Sequence, residues 1–64
     1  MMTANEIRGL LKEYEKEVAD FKECISLELS NYNCNSKVNI INFTEGIETY
    51  YIKIKLLKII LQEN

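Results

Sequence analysis

Two stretches of this sequence place apolar side chains at alternating intervals of four and three residues, and nothing else in the chain constrains its fold as much. The first stretch runs Ile7, Leu11, Tyr14, Val18, Phe21 and Ile25; the second runs Phe43, Ile47, Tyr50, Ile54, Leu57 and Leu61. A four–three alternation keeps successive residues on one narrow stripe of an α-helix, the stripe that packs along another helix. Two such stripes joined by a loop predict an all-α fold, an antiparallel helical hairpin.

The first helix has a marked start. Thr3-Ala4-Asn5-Glu6 reads as a capping box, in which the Thr and Glu side chains each take up a backbone N–H that the first turn leaves without a partner. Met2 and Ile7 are spaced for the hydrophobic staple that accompanies such a box. Leu10 and Leu29 widen the stripe, while Lys12, Glu13, Lys16 and Glu17 fall on the polar side at spacings that let them interact. Gly9 lies off the stripe and is read as tolerated. The run Ser30-Asn31-Tyr32-Asn33-Cys34-Asn35-Ser36 favours turns, because its short polar side chains compete for backbone hydrogen bonds. The expected bounds are a helix over about 4–30, a loop over about 31–42 and a helix over about 43–62, all in one small domain spanning 1–64. Asn42 or Thr44 would be the second N-cap, and Val38–Ile41 has room to be extended.

The second helix carries a further demand. At 100° per residue, Ile52, Leu56, Ile59 and Ile60 stand roughly opposite its stripe, with Tyr51 between the two faces. A helix apolar on two sides is normally buried on two sides, and the first helix can cover only one. The remaining face would be an oligomer or partner interface. Chain length points the same way, since 64 residues bury only about 60% of the surface they expose when unfolded. Such chains gain stability from disulfides, a metal or a second copy.

Cys24 and Cys34 stand singly, and the start of the chain carries no basic run before an apolar core, so free thiols are expected. Cys24 reads as a semi-buried packing residue and Cys34 as an exposed loop residue. There is no histidine, and two cysteines ten positions apart make no zinc site. Neither metal nor cofactor is expected. Self-association remains, in the form of a dimeric four-helix bundle with the second helices inside.

One alternative has a physical basis. Val38-Asn39-Ile40 and Tyr51 to Leu56 alternate in the manner of strands, and Glu45-Gly46 could turn between them, which gives an α+β fold of one helix and a β-hairpin. Against it, the alternation is lost from Leu56 to Leu61 whereas the helical period is not.

Composition excludes several functions. The net charge is −2, whereas a chain that neutralises many phosphates shows a basic face. The segment from Tyr50 to Leu61 is interrupted by three lysines and is too short to span a bilayer, which takes about 20 apolar residues. A cytoplasmic, non-membrane protein is expected. Without histidine the commonest general base is missing, and no nucleophile–base pairing or glycine-rich phosphate loop replaces it, so no enzymatic activity is expected. Asn42-Phe43-Thr44 matches a glycosylation sequon, but three-residue motifs arise by chance and a capping or turn role suits it better. Tyr14 and Tyr50 belong to the stripes; Tyr51 and Tyr32 are the freer tyrosines.

Three functional classes follow. The first is a small regulator or inhibitor that binds a larger protein through the helical face of Ile52, Leu56, Ile59, Ile60 and Tyr51, with itself as a further partner. The heavy use of Ile, Lys, Asn and Glu with a single Arg fits AT-rich bacterial and phage genomes, an association of composition alone. The second is an oligomeric sequesterer of a small ligand or signalling nucleotide. The third is a nucleic-acid accessory factor in which Lys53, Lys55 and Lys58 contact the anion; three charges give weak affinity at physiological salt.

Overall fold

The computed structural model describes residues 2–62 and contains two helices in contact, α1 (Ala4–Ser30) and α2 (Ser36–Leu61), with no strand among the described residues. At 1.5 Å per residue each is about 40 Å long, and the molecule is correspondingly elongated, 45 × 21 × 14 Å. Only residues 31–35 join the helices, which forces them to run antiparallel. Side-chain neighbours follow that sense: Tyr14 meets Tyr50 low on α1, and Phe21 meets Phe43 further up.

The capping box at the start of α1 closes in both directions. The Glu6 backbone N–H donates to Thr3 Oγ1 and the Thr3 N–H donates to Glu6 Oε1, each at 3.2 Å. At the other end, the chain reverses on a polar turn. Asn33 Oδ1 accepts from the Asn35 N–H at 2.8 Å, and Ser36 Oγ accepts from the Asn33 N–H at 2.9 Å. Ser36 has no exposed surface at all. Its hydroxyl is therefore spent on the turn, where it partners a backbone donor that water reaches poorly.

Here the expected bounds need correction. The second helix begins at Ser36 and not near 43, so the loop is five residues long instead of twelve. Val38–Ile41 is helical, and neither Asn42 nor Thr44 caps anything: both lie inside α2, where the Thr44 hydroxyl donates to the Ile40 carbonyl at 2.8 Å. The N-cap is Asn35, without a side-chain capping bond. Tertiary contact overrides local preference in this segment. Asn39 donates from Nδ2 to Glu28 Oε1 at 3.1 Å, and Ile40 is half-buried against α1. The stripe in fact extends back through Ile40 to Ser36 with unbroken helical spacing. Leu29 does not join the first stripe. It lies in the last turn of α1, where α2 is only starting, and is 60% exposed.

Between the helices lie Ile7, Leu10, Leu11, Tyr14, Val18, Phe21 and Ile25 from α1 and Ile40, Phe43, Ile47, Tyr50, Ile54, Leu57 and Leu61 from α2. Only Val18 and Ile54 fall below a tenth exposed, at 5% and 6%. The others are half-buried, because a two-helix sandwich has rims everywhere and almost no centre.

Aromatic rings fill the middle of that sandwich. Tyr14 and Tyr50 have centroids 5.2 Å apart, Phe21 and Tyr50 5.9 Å, and Phe21 and Phe43 6.3 Å, all tilted. Tilted pairs in this range contribute about 0.5–1.5 kcal/mol beyond their buried area. The tip of the Phe21 ring points at Gly46, where an added Cβ would stand 2.9 Å from its Cζ. Gly46 is thus a notch for a ring, whereas the space beside Gly9 is open.

The two glycines should consequently respond in opposite ways to alanine. Gly9→Ala should raise unfolding free energy by about 1 kcal/mol, the helix-propensity difference. Gly46→Ala should lower it by about 1 kcal/mol, because the clash outweighs that gain. In a Phe21→Leu background Gly46→Ala should become stabilising. Urea denaturation followed by circular dichroism measures all three, and a stabilising Gly46→Ala in the wild-type background would remove the notch.

Candidate interaction surface

The hairpin leaves one face of α2 without cover. Taking Ile54 as the origin and 100° per residue, Val38, Ile41, Ile52, Leu56, Ile59 and Ile60 lie between about 140° and 240°, opposite the contact with α1. They are 47–63% exposed. Ile52, Leu56, Ile59 and Ile60 are the four that the sequence singled out; Val38 and Ile41 lie on the same face about four and three turns before Ile52. Neither stands out in the sequence, because the asparagines around them favour turns. The signal was present, since Val38, Ile41, Ile52, Leu56 and Ile59 keep helical spacing.

Charge is arranged along this strip. Glu45 lies in its centre, and Glu48, Tyr51 and Lys55 follow one edge of it, all exposed. Tyr51 is 47% exposed, and the Lys22 ammonium stands 5.7 Å from its ring centroid. α1 offers nothing comparable. Its outward side is charged apart from Leu27, which is 59% exposed and isolated.

The three lysines considered for anion contact part company. Lys53 Nζ lies 5.6 Å from the Tyr14 centroid and 5.1 Å from that of Tyr50, so its charge sits over the rim of the aromatic cluster. Lys55 and Lys58 are exposed on α2, about 60° apart around the helix. They do not converge on a common point with Lys53.

Cavities are shallow. An open hollow of about 580 Å³ lies between the free ends of the helices, lined by Met2, Ala4, Ile7, Leu57, Ile60 and Leu61, and it merges with the exposed strip at Ile60. Its walls are apolar and carry no convergent polar groups of the kind that fix a small ligand. Cys24 is half-buried and Cys34 exposed. Among the described residues no three His, Cys, Asp or Glu side chains group closely enough to hold a metal ion. No helix among them is long and apolar enough to cross a membrane.

No family model matches the chain, and no curated protein and no solved structure shows significant similarity to it.

The ammonium over the tyrosine pair gives Lys53 a structural role that Lys58, whose amine stands over no ring, does not share. Lys53→Gln should destabilise the hairpin by about 0.5–1 kcal/mol. Lys58→Gln should change stability by no more than about 0.5 kcal/mol. Paired thermal melts of the two variants check the difference.

Proposed function

We propose that this chain is a non-enzymatic binding protein, a small regulator or inhibitor that acts by laying the outer face of α2 against another protein surface. The observation that supports this is the strip itself: six large aliphatic side chains on one side of one helix, each about half exposed or more. Scattered exposed hydrophobes are ordinary, but six aligned on one helix face, four of them clustered from Ile52 to Ile60, mark an interaction surface. Covering the exposed half of each of these side chains contributes about 1 kcal/mol before ordering costs.

Recognition by such a strip is helix-on-helix or helix-in-groove, with anchors one turn apart. Ile52, Leu56 and Ile59 supply them, Tyr51 adds an aromatic edge, and Glu48 and Lys55 set the polar rim. A binding role of this sort requires no general base, metal or cofactor, and the reading assigns none. It places the protein in the cytoplasm. The sequesterer and nucleic-acid readings draw on no comparable feature: the apolar hollow lacks polar anchors, and Lys53 is engaged with two rings.

The test is a charge placed in the strip. Ile59→Lys should retain the far-ultraviolet helix signal, because Ile59 makes no part of the α1–α2 packing, yet should abolish association with protein, whether another chain or itself. Sedimentation and affinity capture read both. An Ile59→Lys variant that associates as the wild type does would refute the proposal, as would a ligand or nucleic acid found to account for binding in its place.

A further inference from the structure

Resting on the reading of the outer α2 face as a binding surface, we infer that its occupant is a second copy of this chain, packed antiparallel through α2 about a two-fold axis passing near Tyr51. The reasons are surface area and charge, and the two are independent.

Area comes first. The chain exposes 5080 Å², whereas a compact monomer of its 7.5 kDa mass exposes about 4,200 Å². The surplus, about 800 Å², is what one partner contributes to a standard protein interface. The radius of gyration is likewise too large, at 14.6 Å against about 11 Å for a compact chain of this length. The strip from Val38 to Ile60 is about 33 Å long. A second, identical strip matches it in length and in apolar character.

Charge then fixes the direction. Glu48 and Lys55 occupy the same edge of α2, seven residues and two helical turns apart. In antiparallel packing like edges meet while running in opposite directions. With the axis between them, Glu48 faces the second copy's Lys55, and Lys55 faces the second copy's Glu48. Glu45, in the middle of the strip, is carried to the level of the second copy's residue 58, about 20 Å along the axis from the second copy's Glu45. In-register parallel packing does the opposite and sets two Glu45 carboxylates against each other at the centre of an apolar seam, a repulsive contact. The same axis sets Ile59 at the level of the second copy's Thr44–Glu45 and Ile41 at that of its Gln62, so the two strips overlap from about residue 43 to residue 60.

Geometry fixes the shape. The strip is opposite the α1 contact and not at right angles to it, so two hairpins meet as a flat row, α1–α2–α2–α1, and not as a square bundle. Both α2 helices are then covered on their two apolar sides, and the charged faces of α1 lie outermost. A larger protein seeking the same strip must displace the second copy.

Sedimentation at micromolar concentration should give a dimer that weakens in high salt. Glu48→Lys alone, or Lys55→Glu alone, should raise the dimer dissociation constant by about tenfold, since each change disrupts two symmetric pairs. The double exchange Glu48→Lys with Lys55→Glu should restore it. In a Cys24→Ser, Cys34→Ser background, Glu45→Cys mixed with Ile59→Cys should form a disulfide-linked dimer under mild oxidation, whereas Ile59→Cys alone should not. Circular dichroism guards against misfolding in each variant. A linked dimer from Ile59→Cys alone overturns the antiparallel direction, and a double exchange no better than the single ones overturns the charge pairing. A wild-type monomer that still captures another protein, and loses it on Ile59→Lys, overturns the second copy as occupant while leaving the binding face standing. A monomer whose capture ignores Ile59→Lys removes both.

Discussion

A hairpin of two helices has a single internal surface, and everything else about this protein follows from that scarcity. Each helix can turn one stripe toward its neighbour and no more. α1 complies: one stripe is apolar and the rest is mostly charged, with Leu27 and Leu29 the large apolar exceptions. α2 does not, because its apolar residues encircle it so fully that little one-sided bias remains. The same residues that make α2 a good core helix for a larger assembly leave it incompletely covered in one chain. With Val18 and Ile54 the only apolar side chains in the interior proper among the described residues, the hairpin has little hydrophobic reserve of its own. Folding and association then draw on the same surface, and the line between stabilising the chain and binding a partner is thin.

Within the single interface, aromatic contacts hold the register. Tyr14, Phe21, Phe43 and Tyr50 bracket the middle of the hairpin, and Phe21 enters the space that Gly46 leaves. A sliding of one helix past the other by a turn would drive the ring into a side chain instead of a gap. Lys53 closes the cluster from the solvent side. The polar turn at Asn33 and Ser36 fixes the same register from the end of the molecule, so the middle and the closed end agree.

The sequence displayed the two helices through their stripes and marked the beginning of α1 through its capping box, because both are local patterns with a definite period. It concealed the first two turns of α2. Asn39 and Asn42, with β-branched Val38, Ile40 and Ile41 among them, argue locally for turn or strand. Their helical state comes from contacts with α1 that no local rule contains. The same error hid Val38 and Ile41 from the candidate surface, although the four isoleucine and leucine positions further along were visible from their angle on the helix. Gly46 was hidden for another reason: a missing side chain has meaning only once the ring that fills the space is known. Lys53 was grouped with Lys55 and Lys58 by proximity in the chain, and only the positions of Tyr14 and Tyr50 separate it from them.

The ends of the hairpin are built unequally. At one, five residues and a fully enclosed serine hydroxyl tie the helices together; at the other, Ile7, Leu57 and Leu61 border an open apolar hollow. Like tongs joined at the hinge, such a molecule parts most easily at its tips. Amide protons near Ile7 and Leu61 would exchange with solvent sooner than those beside the aromatic cluster. Breathing is thereby directed toward the region where Ile60 and the greasy strip begin, so the part of the molecule least committed to its own interior is also the part presented first to whatever it meets.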